Sequence, residues 1–475
     1  MPLKPDNPGR TPVAICVLPK ETPSNSSYRR MPVSNSLKSL DSPKIALILL
    51  LGATRPAYAT PEYIQSEQTG AGSVGTSVES GEYAFKPPAP ARVFTKLGDM
   101  LSESTLNLNL RNFYFGRDRK TQQNIETWAQ GGKLDFATPW WKDRLHLGAT
   151  LHTSQKLYGP ADRDGSRLLK PGQKSFTVLD QAYLEARLYR QLSLKVYRQQ
   201  SNLPYLNGLD TRMIPNTFES VTLFDTSGKR FVYGLAQTWR MKERDADKFI
   251  SMTKAAGIDG PDRAVSTAAA RYTFPNDANI AVVNHYARDF MNIFYTEGNT
   301  RTRTRMGMKF QFSTQYANQR SVGDQLGGDF DTRFWGAKLA ASHGGLLFTV
   351  ARTSTTNNAG IRNDWGGDPS YISIIIENFN RAGEDAWLLG LSSDFSYFGD
   401  NGFSAFINYA RGDTPDNGSN ASPDQSELDL TVDYKPGTGL AKELWFRLRG
   451  AFVNQDGGND LREVHLIANY DFSVL

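Results

Sequence analysis

Cysteine, histidine and long apolar runs are scarce in this sequence of 475 residues. It has one cysteine, Cys16, and five histidines. A single cysteine excludes an intramolecular disulfide framework. The histidines form no HExxH pattern, and no P-loop or dinucleotide-binding glycine pattern is present. We therefore expect no catalytic residue, no metal site and no cofactor.

The one strongly apolar run is IALILLLGA at residues 45–53. After it, no stretch approaches the roughly 20 apolar residues that a membrane-spanning helix needs. Lys38 and Lys44 precede the run, and the small residues of AYA at 57–59 follow it. This order predicts a secretory signal peptide cleaved after Ala59, whereas a buried helix is the alternative.

Met31 would begin a signal peptide of ordinary length, so the sequence before it reads as a wrongly assigned start. We therefore divide the chain into residues 1–59, a mis-called start plus signal peptide; residues 60–103, an irregular periplasmic leader; and residues 104–475, the main domain. The mature protein would begin near Thr60.

The excess of basic over acidic residues lies in the segment that we expect to be removed. The net charge of the whole chain is +5. Eight of its 54 basic residues and three of its 49 acidic residues precede residue 60, which leaves 46 of each. A mature chain without net charge gives no support for a nucleic-acid partner.

Apolar and polar residues alternate in segment after segment of the main domain. Examples are TLNLNL at 105–110, RLHLGATLH at 144–152, RMGMKFQF at 305–312 and ELDLTVDY at 427–434. A period of two predicts strands with one apolar and one polar face. Short turns such as PNDA at 275–278 alternate with long polar connections.

Both a soluble antiparallel sheet and an outer-membrane β-barrel contain alternating strands. Three features favour the barrel: long strands, alternation of short and long connections, and aromatic residues near strand ends. We assign Phe113–Phe115, Trp140, Trp141, Tyr470 and Phe472 to such aromatic girdles. The sequence thus predicts an all-β, antiparallel transmembrane barrel of about 18 strands.

If the apolar residues face lipid, the alternate residues line an aqueous bore. A charge on the lipid side near the midplane costs roughly 2–4 kcal/mol, so the charged residues of the strands are expected inside. Arginine binds carboxylates bidentately, and rows of basic residues attract anions. The basic residues assigned to the bore on this basis include Lys133, Lys195, Arg305, Arg447 and Arg449. Simple solvation of these side chains is the alternative.

The sequences of two connections, 199–220 and 355–385, indicate more order than an ordinary surface loop has. The second contains the run Ile372 to Ile376, which is too apolar to remain in solvent. We expect both connections to fold back into the bore and narrow it.

The sequence resembles the OprD-type porins, also called outer-membrane carboxylate channels. The resemblance rests on LNLRNFYFGRD at 108–118, LPYLNGLDTRMIPNTFES at 203–220, GGDPSY with NFNRAGEDAW at 366–387, and LWFRLRGAF at 444–452. It implies an 18-stranded barrel whose third and seventh loops fold inward. It also implies a ladder of arginines in the bore that guides carboxylates.

Carried over residue by residue, the resemblance gives a substrate path and a constriction. It matches the R-x-R of the penultimate strand to Arg447 and Arg449, and a strand-two basic residue to Lys133. The residues expected at the constriction loops are Tyr205, Asp210, Arg212, Asp368, Tyr371 and Arg381.

Three positions depart from the pattern of that family. Two arginines of the ladder fall on Gly390 and Asn408, and an acidic residue suited to a substrate ammonium falls on Asn292. The missing acidic residue at Asn292 disfavours basic amino acids as substrates, whereas Gly390 and Asn408 indicate an incomplete ladder.

We therefore expect a porin of the bacterial outer membrane rather than an enzyme. Its solutes would be small carboxylates: organic acids, with aromatic acids and amino acids as candidates. The alternative is a barrel without transport function, either structural, adhesive or hydrolytic. Expected partners are outer-membrane lipid and lipopolysaccharide, with the protein a monomer or loose trimer.

Overall fold

The computed structural model describes residues 98, 102–228, 230–304, 307–399, 402–436 and 441–474. The predicted signal peptide, the start near Thr60 and nearly all of the predicted leader lie outside these residues. In the described part of the chain, none of the helices is long and apolar enough to cross a membrane.

Eighteen strands form one closed antiparallel barrel in the described part of the chain, which confirms the predicted fold class. The strands are β1 Thr105–Arg119, β2 Ile125–Ala137, β3 Leu145–Tyr158, β4 Phe176–Tyr189, β5 Leu192–Gln199, β6 Thr217–Asp225, β7 Phe231–Lys242, β8 Val265–Thr273, β9 Asn279–Ala287, β10 Met291–Arg303, β11 Lys309–Ser321, β12 Asp331–His343, β13 Leu346–Thr355, β14 Asp385–Asp394, β15 Phe403–Asp413, β16 Gln425–Tyr434, β17 Leu444–Gln455 and β18 Leu461–Ser473. Each strand pairs with its neighbours in the chain, and β1 pairs with β18 to close the barrel.

The two ends of the barrel differ in their connections. One end carries the start of β1, the end of β18 and short turns such as 190–191 and 344–345. The other end, the long-loop end, carries the longest connections, which are 159–175, 200–216, 243–264 and 356–384.

Few other elements interrupt these connections. They comprise the short hairpin Asn202–Leu203 with Leu206–Asn207, the two-residue strand Ile250–Ser251, the helix Met252–Ala255, and the 3-10 helices Ala161–Arg163 and Phe395–Phe398. The backbone N–H of Asn207 donates to the carbonyl of Trp365, so connection 200–216 contacts connection 356–384.

Strand alternation sets which side chains face outward. In β17, Phe446 and Leu448 are 42% and 52% exposed, whereas Arg449, the residue after Leu448, is 9% exposed. A barrel whose outer surface is apolar and whose interior is polar is the arrangement of outer-membrane proteins. The exposed leucines and phenylalanines therefore form the lipid-facing surface.

Three aromatic residues assigned to a girdle are buried instead, and one of them is Trp140, which is 7% exposed and stacks on His146. Phe113 and Phe115 are each 1% exposed, and they pack with Leu168 and Met213 from two connections. For the two phenylalanines the physical reason is strand parity, because Leu110 on β1 faces outward and odd-numbered residues therefore face inward. Phe472, by contrast, is 37% exposed and lies on the outward face of its strand, as a girdle residue should.

Of the predicted strand at 305–312, the described residues from Lys309 onward belong to a strand. Strand β10 ends at Arg303 and β11 begins at Lys309. Between them, the N–H of Gly307 donates to the carbonyl of Thr304, which closes a turn. Arg305, predicted to line the bore, lies outside the described residues.

Both long predicted loops are shorter than their sequence bounds, because β5 continues to Gln199 and β6 begins at Thr217. The apolar run in 356–384 is packed as expected. Ile372 and Ile374 are at most 1% exposed and contact Ala351 and Leu388, which are interior residues of the wall.

Candidate functional site

A cluster of arginines surrounds a narrow pocket beside connection 200–216. The residues that line it are Arg111, Phe113, Asp210, Thr211, Arg212, Trp445, Arg447, Arg449 and Ile467. They come from β1, β17, β18 and the connection, so four segments distant in sequence meet here. Four of the nine lining residues are arginines and one is an aspartate, which makes the pocket suited to anions.

Two of these arginines have carboxylate partners. Arg447 lies opposite Asp433 in the β16–β17 register and binds it through two hydrogen bonds of 2.6 and 2.9 Å. Arg111 donates from Nη1 to Asp210 Oδ1 at 3.1 Å and from Nε to Asn469 Oδ1 at 2.9 Å. Such paired arginines are fixed in position and partly neutralised.

The other two arginines have no carboxylate within ion-pair distance among the described residues. Arg449 donates from Nε to the Thr431 hydroxyl at 3.3 Å, and Arg212 donates from Nε to the Ser166 carbonyl at 2.9 Å. Burial lowers the pKa of Arg212 to about 10, which keeps its guanidinium charged at neutral pH. Two guanidinium groups that form no ion pair with the described carboxylates therefore face the pocket.

Arg212 owes its position to an aromatic residue as well as to backbone carbonyls. Its guanidinium carbon lies 5.0 Å from the centroid of the Phe115 ring. Its Nη1 donates to the Thr211 carbonyl at 2.8 Å. The buried Phe115 ring thus helps to hold the Arg212 guanidinium in position, because a cation over the face of an aromatic ring is stabilised.

The structure brings together four of the predicted residues: Asp210, Arg212, Arg447 and Arg449. It adds Arg111, which the sequence reasoning missed. The signal was present, because Leu106, Leu108 and Leu110 face outward and the parity of β1 then places Arg111 inside. Its pairing with Asp210 could not be read from the sequence, since 98 residues separate them.

Two other predicted residues of the path lie elsewhere in the interior. On β2, Gly131 lies opposite Arg111, so Lys133 is one same-face step nearer the short-turn end. Lys195 lines a second, larger cavity between connection 200–216 and the wall of β4 to β8. The role of both residues in a substrate path stays a prediction.

Three of the residues predicted at the constriction are held by protein contacts. Tyr205 is 1% exposed and packs edge-on against Tyr295, with ring centroids 6.0 Å apart. The Tyr371 hydroxyl donates to Glu297 at 3.3 Å. Arg381 binds Glu384 and donates to the Pro423 carbonyl at 2.7 Å, so it links two connections at the long-loop end.

Asp368 is 7% exposed and accepts hydrogen bonds from the Asn380 side chain and, at 2.9 Å, from the Ser370 N–H. Burial nevertheless raises the pKa of this carboxyl to about 6. These contacts indicate that the Asp368 carboxyl stabilises the conformation of connection 356–384. A constriction role of Asp368 stays a prediction, as it does for Tyr205, Tyr371 and Arg381.

Connections 200–216 and 356–384 are joined to each other and to the interior wall. The Asn207 side chain accepts from the Gly367 N–H at 2.8 Å and donates to the Gly367 carbonyl at 3.0 Å. His285 on β9 forms a 2.8 Å hydrogen bond with the Pro204 carbonyl. The backbone N–H of Ile375 donates to Asp429 on β16 at 3.1 Å. These are the contacts that inward-folded connections would make.

The two departures in the arginine ladder face each other. Gly390 on β14 and Asn408 on β15 are register partners on the interior face. A Cβ atom added at Gly390 would lie 2.6 Å from Asn408 Oδ1. This pair is therefore uncharged and closely packed, whereas four arginines line the pocket beside β17 and β1.

The inference drawn from Asn292 is wrong. Asn292 lies on the outward face of β10, between the buried residues Met291 and Ile293, and it lies opposite Tyr286, which is 43% exposed. Its side chain exchanges hydrogen bonds with Asn284. Because it does not face the bore, its lack of charge carries no information about substrates.

Comparison with known proteins places this geometry in a family. Porin D of Pseudomonas aeruginosa is 21% identical over 411 residues, which are 79% of this chain and 92% of that protein. The crystal structure of OccK9 (OpdG) from Pseudomonas aeruginosa superposes with a TM-score of 0.72 at 24% identity, covering 79% of this chain and all of that one.

A BenF-like porin from Pseudomonas fluorescens Pf-5 gives a TM-score of 0.71 at 23% identity, over 79% of this chain and all of the porin. OpdK of Pseudomonas aeruginosa, solved with vanillate, gives 0.67 at 19% identity, over 78% of this chain and 99% of OpdK. The model of the family described as "outer membrane porin, OprD family" matches residues 98–474. This chain, a β-barrel of the bacterial outer membrane, therefore belongs to the OprD family of outer membrane porins.

Proposed function

We propose that this porin passes small carboxylate-bearing solutes by passive diffusion, and that the arginine pocket is the point of selection. The observation that carries the proposal is the pairing pattern around the pocket. Arg111 and Arg447 are matched by Asp210 and Asp433, whereas Arg212 and Arg449 have no carboxylate partner among the described residues. A solute carboxylate would supply the missing partner.

The arrangement favours binding that is strong enough to attract anions and weak enough to release them. The matched pairs hold the pocket in shape, while the other two guanidinium groups lie on a strand and on connection 200–216. Conduction requires such moderate affinity, because a site that binds too tightly blocks its own channel. OpdK, which was solved with vanillate, supports carboxylates as the solute class by analogy.

The test is ion selectivity of the purified protein in planar bilayers. The double variant Arg447→Gln, Arg449→Gln should shift selectivity toward cations and weaken block by benzoate roughly tenfold, which corresponds to about 1.4 kcal/mol. The matched control is Arg462→Gln, an arginine on the outward face of β18. It should leave both quantities unchanged.

Two results would contradict the proposal at different levels. Unchanged selectivity in the double variant would remove the arginine pocket as the selective element. Absence of any conductance from folded protein would remove the channel function, in favour of a barrel with a structural or adhesive role. Liposome swelling with a panel of organic acids and amino acids would then rank the solutes.

A further inference from the structure

A second chamber adjoins connection 200–216 near its start, whereas the arginine pocket contacts residues 210–212 of the same connection. Its volume is about 300 Å³, against about 20 Å³ for the arginine pocket. The first half of the connection, with Leu203 and Leu206, forms one wall. The interior faces of β4 to β8 form the rest, including Thr222 and Phe224. The chamber is thus large enough for a small organic solute.

Glu185 carries a carboxylate that faces the chamber and forms no ion pair with the described residues. It lines the chamber and is 8% exposed. In the part of the chain that the structure describes, no side chain or backbone group forms a hydrogen bond or ion pair with its carboxylate. A carboxylate that faces an open chamber without a donor from the protein is able to bind a positively charged group from outside the protein.

Lys195 supplies a positive charge to the same chamber without forming a direct ion pair with Glu185. The two residues are direct register partners on β4 and β5, yet no ion pair within 4.0 Å joins them. The Lys195 Nζ atom instead lies 3.6 Å from the centroid of the Tyr183 ring. The ring holds the ammonium away from the carboxylate, because a cation over an aromatic face is stabilised.

We propose that this chamber binds the zwitterionic head group of a neutral α-amino acid with an apolar side chain. Lys195 would bind the solute carboxylate and Glu185 its ammonium group. Leu203, Leu206 and Phe224 would contact the apolar side chain. The proposal rests on the proposed porin function, because it assigns a solute class to a second site of the same bore.

Solutes of other classes would leave one of the two charged groups of the chamber unpaired. A monocarboxylate would pair with Lys195 and leave Glu185 buried without a partner. A simple amine would do the reverse. A solute with both groups on one carbon atom satisfies two charges that lie opposite each other on neighbouring strands, where Cβ atoms are about 5 Å apart. Since Asn292 faces outward, its lack of charge does not oppose an amino-acid substrate.

The experiment is isothermal titration calorimetry on the full-length protein in detergent at pH 7. The probes are leucine and 4-methylpentanoate, which has the same carbon skeleton without the ammonium group. Glu185→Gln should weaken leucine binding at least tenfold and leave 4-methylpentanoate within twofold. Lys195→Gln should weaken both. Glu443→Gln, which removes a half-exposed carboxylate in a short turn, is the control and should change neither.

Two results would overturn the proposal: leucine affinity unchanged in Glu185→Gln, or an equal loss for both probes. If Glu185→Gln does not fold, Ala269→Leu tests the same chamber by filling it. It should abolish leucine binding, and retained binding would also overturn the proposal. Leucine binding without any conductance would contradict the porin function alone, whereas conductance without leucine binding would contradict the chamber alone.

Discussion

Asn207 joins connections 200–216 and 356–384 to each other, and its replacement by alanine should loosen both. The side chain binds both the N–H and the carbonyl of Gly367, and it accepts from the Leu209 N–H at 3.1 Å. It is 9% exposed. Asn207→Ala therefore leaves three backbone groups without their partner in a largely buried region.

The magnitude follows from those three groups. A buried backbone group that loses its hydrogen bond costs about 1–3 kcal/mol, and less where water reaches it. Because the bore is polar and water can replace part of the lost bonding, we expect a total of about 2 kcal/mol. This corresponds to roughly a 30-fold increase in local opening.

Hydrogen exchange measured by mass spectrometry reads that opening directly. Peptides that contain Gly367 should lose protection roughly 30-fold in Asn207→Ala, while the strands of the barrel stay protected. Single-channel recordings should show greater current noise in the open state. Asn207→Asp, which keeps the acceptor and loses the donor, should have an intermediate effect.

The matched control is Asn202→Ala, in the same hairpin. Asn202 is the register partner of Asn207, but its side chain is exposed. Its replacement should leave exchange at Gly367 unchanged. Equal exchange rates in Asn207→Ala and the parent protein, or equal effects of the two variants, would refute the view that this amide holds the connections together.

Three further predictions concern connection 356–384 and the neighbouring strands β14 and β15. Because burial raises the pKa of Asp368 from 3.8 to about 6, the folded connection binds the proton more tightly than the unfolded chain. Its hydrogen-exchange protection should therefore fall as pH rises from 4 to 6, and Asp368→Asn should remove this dependence. Arg381→Gln should increase proteolysis within 414–424 and leave benzoate block unchanged, because its contacts are with Glu384 and that connection. Gly390→Ala should lower the thermal unfolding temperature, and the added change Asn408→Ala should restore it, because the new methyl group would meet the Asn408 amide.

Each of these has an outcome that would contradict it. Protection that rises with pH would mean that the Asp368 carboxyl is stabilised as the anion. Loss of benzoate block in Arg381→Gln would place that arginine in the solute path. A double variant no more stable than Gly390→Ala would show that the amide is not the obstacle.

Strand parity was available from the sequence because side chains alternate at every residue of a strand. The apolar residues Leu444, Phe446 and Leu448 were enough to place Arg447 and Arg449 on the interior face, and the structure agrees. The same rule, applied to Leu110, should have moved Phe113 from the girdle to the interior. The barrel itself follows from this local periodicity, repeated strand after strand.

The pairing of charges was decided by tertiary structure alone. Nothing local to Arg111 indicates that it binds Asp210. Nothing local to Arg449 indicates that it forms no ion pair with the carboxylates that the structure describes. Likewise, Glu185 and Lys195 look like an ordinary cross-strand pair until the Tyr183 ring is placed beside the ammonium. Parity is a property of one strand, whereas these contacts depend on where connections between distant strands come to rest inside the closed barrel.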